Sequence, residues 1–149
     1  IMGNGYASRL YQTMVKEQQL FSSINCYHTG SLDAGLLVVE GKLIKGVTLE
    51  AANAAVKNQI ALLLQNGITD TELEKAKNKI EAMIAFEDMS ILSRANNLAF
   101  YELLGDAAMI NDELGLYHAV TTESLLHTAR EIFRIDNENT LFYKAGTPE

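Results

Sequence analysis

The sequence is short of cysteine, proline and basic residues, and each shortage argues against a class of protein. Cys26 is the single cysteine, so an intramolecular disulfide and a thiolate zinc site are both excluded. With 1 proline in 149 residues, the chain is free to form long helices. The net charge is −7 and no cluster of lysines and arginines occurs. This argues against nucleic acid or an anionic membrane surface as the partner.

Long hydrophobic runs are missing as well. The longest, such as AGLLVV and IALLL, fall far short of the ~20 residues that span a bilayer. Apolar residues still make up 48% of the chain, which excludes a disordered protein. We therefore expect a single domain over residues 1–149, the usual size of one domain. Since IMGNGY leads into a helical pattern without an initiator methionine, we interpret the sequence as a fragment of a larger protein.

The spacing of apolar residues predicts a helix over about 6–19, then two strands within LFSSINCYHTG and GLLVVEGKLI that form an antiparallel hairpin. In the first strand Ile24, Cys26 and His28 alternate with polar residues. Four longer helices follow, with MINDELGLYHAV as a short helix and connector before the last of them. The four lie in GVTLEAANAAVKNQIALLLQNG, ITDTELEKAKNKIEAMIAFEDM, SILSRANNLAFYELLG and VTTESLLHTAREIF, and NTLFYKAG predicts a final strand.

Polar residues precede most of these helices and serve as candidate N-caps. The candidates are Thr48, then Thr69 or Asp70, then Ser90, then Thr121 or Thr122. The order helix, two strands, several helices, strand indicates an α+β fold. We expect helices packed on one face of a mainly antiparallel sheet.

Neither a metal site nor a catalytic nucleophile stands out. His28, His118 and His127 are isolated and form neither HExxH nor HxxEH, the helical patterns that bind catalytic zinc. Cys26 lies in a strand with one buried face, which favours a structural thiol. The carboxylates between Glu72 and Asp88 alternate with lysines, which is typical of a solvated helix face.

Two segments together resemble a known family. They are GNGYASRLYQTMVKEQQLFSSINCY and, further on, TDTELEKAKNKI…SILSRANNLAFYELLG…AVTTESLLHTAREIF. Their order and spacing resemble the C-terminal half of pitrilysin/insulinase family zinc metallopeptidases, a family that includes the mitochondrial processing peptidases. The resemblance runs from Gly3 to about Gly146.

The resemblance implies a layer of helices on an antiparallel sheet, with at least one strand of the domain lying before Ile1. It also implies two similar halves that close around a peptide-holding chamber. Zinc is expected only in the N-terminal half, on an HxxEH helix that this chain lacks, so the chain resembles the non-catalytic half. The implied partners are a zinc-bearing half or paired subunit and a peptide substrate, in a homo- or hetero-oligomer.

Active members of the family carry an arginine at the end of the Ser-Arg-Leu helix and a tyrosine seven residues later, which help to stabilise the reacting carbonyl. Alignment on KEQQL places Val15 and Ser22 at these substrate-contact positions. Neither side chain can replace its counterpart, and loss of such a donor typically costs ~3 kcal/mol. Lys16 and Tyr27 are the nearby fallback candidates.

Three interpretations follow. The chain is the zinc-free C-terminal domain of a pitrilysin-like metallopeptidase, or a non-catalytic scaffold or binding module of that family, or an unrelated α+β domain. The family suggests a bacterial envelope or an organelle such as the mitochondrion as the location, with the bacterial cytoplasm as a further option.

Overall fold

The computed structural model describes residues 1–30 and 32–144. A helix in the π conformation, Tyr11–Glu17, is followed by strands β1 and β2 and then by five α-helices. The elements are β1 (Phe21–His28), β2 (Leu37–Leu43), α1 (Leu49–Asn66), α2 (Asp70–Glu87), α3 (Ile91–Leu104), α4 (Glu113–Ala119) and α5 (Thr122–Ile132), with 3-10 turns at Ala107–Asp112 and Ile135–Asn137. The predicted α+β class is confirmed.

The hairpin forms as predicted. β1 and β2 pair antiparallel, with Ile24 opposite Gly41 and Cys26 opposite Val39. Ile24 and Cys26 are buried, in agreement with the alternation of the sequence, but His28 is exposed. Its ring lies beside the hairpin loop, where Nδ1 accepts the backbone N–H of Gly30 at 3.3 Å.

The core forms where the first helix, the hairpin and α1 meet. Leu10 and Met14 are completely buried, and they pack with Ile24 of β1 and Ala52 of α1. Phe21 and Cys26 complete this cluster. By contrast, no residue of α2, α3, α4 or α5 is fully buried, so the second half of the chain shares little of this core.

The first helix starts later than predicted and changes its hydrogen-bond pattern. Residues 3–8 form turns, in which the backbone N–H and Oγ of Ser8 both donate to the carbonyl of Gly5. At the other end, the N–H of Gln18 bonds to Thr13 O, five residues back, which is the spacing of a π-helix. Gln19 then turns the chain into β1 with a φ of 51°.

The helix caps agree with the sequence. Thr48 Oγ1 accepts the N–H of Ala51 at 3.2 Å, and Thr69, rather than Asp70, caps α2 in a reciprocal capping box with Glu72. Ser90 caps α3, and Thr121 rather than Thr122 caps α5. Gly67 and Gly105 end α1 and α3 at φ values of 75° and 130°, a region open to glycine at little cost.

The predicted final strand is wrong for residues 139–144, which form no strand; the rest of that prediction, residues 145 and 146, lies outside the described residues. A segment becomes a strand only where another strand offers it a free edge for hydrogen bonding. The side chains of Leu141 and Tyr143 are 93% and 88% exposed, so this segment is not packed against the hairpin sheet. Within 1–30 and 32–144, no helix is long and apolar enough to cross a membrane.

Candidate functional site

Among residues 1–30 and 32–144, none covers one face of the hairpin sheet. Because side chains alternate along a strand, the residues of β1 that alternate with the buried Ile24 and Cys26 project to the opposite side of the sheet. Five exposed residues define this open face: Ser23, Asn25, Tyr27, Glu40 and Lys42. Pairing places Ser23 opposite Lys42 and Asn25 opposite Glu40, so hydroxyl, amide, carboxylate and ammonium groups lie together on it.

Tyr27 and Glu40 are linked across the open face. The phenol of Tyr27 donates to Glu40 Oε2 at 3.2 Å, and this hydrogen bond, together with the carboxylate charge, raises the pKa of Tyr27. The phenol therefore remains protonated over the working range of most enzymes. The open face can therefore both donate and accept hydrogen bonds.

Val15 and Ser22 lie on either side of the turn that joins the π-helix to β1. Val15 is half-buried and packs against the core cluster. Ser22 is exposed, and its Oγ donates to the carbonyl of Lys42 at 3.0 Å. The two side chains thus face different surroundings, one apolar and one solvated.

Of the two fallback candidates, Lys16 lies on the π-helix with its Nζ 5.8 Å from the ring centroid of Tyr11. This is a cation–π contact at an exposed site, which contributes at most about 1 kcal/mol. Tyr27 belongs to the open face, as described above. Lys16 and Tyr27 are therefore attached to different elements, the first helix and the hairpin.

The described residues do not fit a zinc ion. No group of three or more His, Cys, Asp or Glu in 1–30 and 32–144 is placed to hold a metal. His118 and His127 each approach a single glutamate, Glu81 at 3.9 Å and Glu131 at 3.6 Å, whereas catalytic zinc needs about three protein ligands. Burial raises the pKa of the Cys26 thiol, which disfavours the thiolate that binds metals.

The arginine of Ser-Arg-Leu has a structural partner that the sequence did not reveal. Arg9 Nε donates to Glu72 Oε1 at 2.6 Å, and its Nη2 donates to Glu72 Oε2 at 2.7 Å and to the carbonyl of Gly67 at 2.8 Å. Such bidentate pairs are strong and directional. The pair fixes the start of the first helix against α2, and through that helix it positions the turn between Val15 and Ser22. The sequence placed Glu72 on a solvated helix face, and nothing in it linked this carboxylate to Arg9.

The chain is similar to two curated proteins over most of its length. It is 26% identical over 147 residues to the uncharacterized zinc protease YmxG of Bacillus subtilis (strain 168), covering 98% of this chain and 36% of YmxG. It is 24% identical over 134 residues to the uncharacterized zinc protease SCO5738 of Streptomyces coelicolor, covering 88% of this chain and 28% of that protein. The chain thus spans about a third of the length of these relatives.

The fold is shared with two crystal structures. A protease from Helicobacter pylori superposes with a TM-score of 0.82 at 21% identity, over 90% of this chain and 32% of that one. A candidate zinc protease from Bordetella pertussis Tohama I gives 0.79 at 19% identity, over 92% of this chain and 75% of that one. The model of the Peptidase M16 inactive domain matches residues 1–80. The chain therefore belongs to the inactive, C-terminal domain family of the M16 peptidases, the pitrilysin/insulinase family.

Proposed function

We propose that this domain is the non-catalytic wall of a peptide chamber in a zinc metalloendopeptidase, opposite a zinc-bearing half. The observation that carries the proposal is the open face. Helices and core cover one side of the hairpin, while Asn25, Tyr27, Glu40 and Lys42 remain solvent-exposed on the other. A peptide backbone needs hydrogen-bond donors and acceptors along its length, and this face offers both.

The edge of β2 offers a second mode of holding a peptide. Among the described residues β2 pairs with β1 alone, so the backbone groups along its other edge are open to a peptide strand. Strand addition supplies affinity through main-chain hydrogen bonds and specificity through neighbouring side chains. Glu40 and Lys42 lie on this strand and would contact the side chains of an added peptide.

Charge reversal at Glu40 tests the role of the open face. In the full-length protein, Glu40→Lys should raise KM several-fold for peptides with basic residues and lower it for acidic ones, because charged contacts set specificity. Glu74→Lys makes the same change at an exposed position of α2 and serves as the control. The proposal is contradicted if the ratio of KM for basic peptides to KM for acidic peptides is the same in both variants. It is also contradicted if the full-length protein binds no zinc and cleaves no peptide.

Val15 and Ser22 remain proposed substrate-contact positions. The family pair can be restored by Val15→Arg together with Ser22→Tyr, with Ser22→Tyr alone as the control that spares the half-buried position. The double variant should gain activity, since one oxyanion donor is typically worth roughly 10²–10³ in kcat. A folded double variant with unchanged kcat would reject these positions.

The alternative function is a scaffold or binding module without proteolytic activity. Its support is a set of large apolar side chains exposed between the end of α2 and the start of α3: Phe86, Met89, Ile91 and Leu92 are 73%, 78%, 84% and 71% exposed. Patches of this kind mark protein–protein contacts. The test is whether the full-length protein co-purifies with a paired subunit. Co-purification that is lost in Ile91→Asp and kept in the control Glu87→Gln would favour this function over the first.

A further inference from the structure

Most of the net charge of the chain lies in one stretch of helices. Residues 80–119, from the second half of α2 to the end of α4, contain seven carboxylates and a single arginine, Arg94. The remaining residues are almost balanced in charge, so this stretch accounts for most of the net charge of −7. The seven carboxylates are those of Glu81, Glu87, Asp88, Glu102, Asp106, Asp112 and Glu113.

These carboxylates have few partners of opposite charge within the chain. Glu113 is half-buried and the other six are exposed. Among residues 1–30 and 32–144, no lysine or arginine forms an ion pair with any of them, and Glu81 approaches the imidazole of His118 at 3.9 Å. Because like charges in one region repel each other, this stretch favours a cationic partner.

Large apolar side chains are interspersed with the carboxylates. The junction of α2 and α3 has the sequence FEDMSIL, in which Phe86, Met89, Ile91 and Leu92 are all exposed. We call residues 80–119, with these exposed apolar and acidic side chains, the acidic apolar surface. A partner that covers it must bring both apolar groups and positive charge.

The distribution of methionine also indicates a binding surface. Three of the five methionines of the chain lie in the acidic apolar surface. Met83, Met89 and Met109 are exposed there, whereas Met14 is completely buried in the core. Methionine is flexible and polarizable, so exposed methionines adapt to the shape of a partner.

A cleft between α2 and α4 lies within this surface. Its volume is about 160 Å³, close to the ~150 Å³ that holds a benzene ring, so there is room for one long side chain. Ile80, Met83 and Ile84 supply apolar lining, and Glu87 and Glu113 contribute one carboxylate from each helix. A lysine or arginine would lay its methylene stem on such a lining and place its charged end beside the carboxylates.

We propose that the acidic apolar surface binds a basic segment of a partner protein, with a lysine or arginine side chain in the cleft. Charge complementarity decides the occupant. A purely apolar partner would take the carboxylates out of water without a counter-charge, which is costly, and a purely ionic one would leave the apolar side chains in water. The inference rests on the binding-module alternative, whose exposed residues belong to this surface, and adds the chemistry of the partner.

Two labelled peptides test the charge of the partner. The probe is a fluorescein-labelled peptide of about 18 leucines and lysines with the leucines at helical spacing, and its control carries glutamate in place of lysine. Both are titrated into full-length protein that carries Glu40→Lys, so that the open face does not favour basic peptides, with EDTA present to prevent cleavage. Fluorescence anisotropy should show that the basic peptide binds roughly tenfold more tightly or better. Equal affinities, or no binding of the basic peptide, would overturn the proposal.

Two double variants locate the bound probe. One carboxylate is a small part of the total charge, so Glu87→Gln and Glu113→Gln are combined. The control combines Glu50→Gln and Glu74→Gln, which lose the same charge at exposed positions outside residues 80–119. The first pair should weaken binding of the basic probe by roughly five- to tenfold and the control by less than about twofold. Equal weakening would show a general attraction to the net charge and would refute the proposal.

Met89 gives a readout that leaves the charge unchanged. Its side chain is 78% exposed, so substitution there should not disturb the fold. Met89→Gln should weaken the basic probe several-fold and Met89→Leu should retain it, whereas an unchanged affinity in Met89→Gln would contradict the proposal.

The outcomes separate this inference from the binding-module alternative. A probe without charge preference, in a protein whose paired subunit still co-purifies, would overturn this inference alone. A basic probe bound at this surface without any co-purifying subunit would support the basic partner and reject only the paired subunit.

Discussion

The ring of Phe21 fills the space that a side chain at residue 41 would occupy. A Cβ placed on Gly41 would lie 2.5 Å from Cδ1 and Cε1 of Phe21, well inside van der Waals contact. Phe21 belongs to the core cluster and is 6% exposed, so it has little freedom to move aside. The glycine in β2 is therefore required by the packing of a buried ring, which is one of the recognised reasons for glycine inside a strand.

Gly41→Ala should lower the free energy of unfolding by about 1–3 kcal/mol, the range for overpacking a core. Gly115→Ala is the matched control: Gly115 lies inside α4, and a Cβ there meets no atom within 4 Å. Because alanine favours a helix interior over glycine, this change should stabilise by about 0.5–1 kcal/mol. Urea unfolding of both variants measures the difference. Two shifts of the same sign would show that Phe21 relaxes away from the strand.

The Arg9–Glu72 pair makes stability depend on pH. The hydrogen bonds from Arg9, followed by those from Thr69, lower the pKa of Glu72 from 4.5 to about 2. A depressed pKa in the folded chain means that the stabilisation is complete above pH 4.5 and is lost as the pH falls toward 2. Both side chains are partly exposed, at 22% and 28%, so after allowance for solvent screening we expect about 1–2 kcal/mol near neutral pH.

Glu72→Gln tests this expectation because glutamine keeps the shape and the capping potential but removes the charge. Its unfolding free energy should fall below that of the parent at neutral pH, and the gap should close as the pH approaches 2. Glu74→Gln, on the same turn of α2 but exposed, should show no such closing gap. A constant difference between parent and Glu72→Gln at all pH values would mean that the ion pair contributes little and that packing explains the loss.

The elements whose residues carry local signals were predictable, and the others were not. Thr48, Thr69 and Ser90 mark helix starts through their own side chains, and Gly67 marks an end by its conformation, so a single sequence is enough to place them. The final strand depends on a neighbouring edge rather than on its own residues, and the sequence could not show that no such edge lies beside it.

The candidate site divides in the same way. The alternation of β1 predicted that Ile24 and Cys26 point inward, and the open face follows from it. The contact between Arg9 and Glu72 joins residues 63 positions apart, and only the tertiary arrangement brings them together. The positions Val15 and Ser22 came from a resemblance to a family, and they stay a prediction.

Thr48 is expected to stabilise α1 through its side chain alone. Its Oγ1 accepts the N–H of Ala51 at 3.2 Å, and without it that donor at the helix start loses its side-chain partner. Thr48→Ala should therefore lower the free energy of unfolding by about 1 kcal/mol, while Thr48→Ser, which keeps the hydroxyl, should change it by only a few tenths. Thermal unfolding followed by circular dichroism measures both, and equal losses in the two variants would assign the effect to the methyl group instead.

The backbone conformation of Gln19 is expected to destabilise the folded chain. Its φ of 51° lies in the left-handed region, which is unfavourable by roughly 1–2 kcal/mol for a residue with a Cβ. Gln19→Gly should relieve this cost, and after the extra entropy of glycine in the unfolded chain we expect a net gain of about 0.5–1 kcal/mol.

The neighbouring Gln18 supplies the control for this change, because it has the ordinary helical φ of −85°. Gln18→Gly relieves no backbone strain and only increases the conformational entropy of the unfolded chain, so it should lower the free energy of unfolding by about 0.5–1 kcal/mol. Opposite signs for adjacent, chemically identical substitutions can come only from the backbone conformation. If both variants are destabilised, the turn into β1 is held by the Gln19 side chain, and the strain at this position is smaller than its φ indicates.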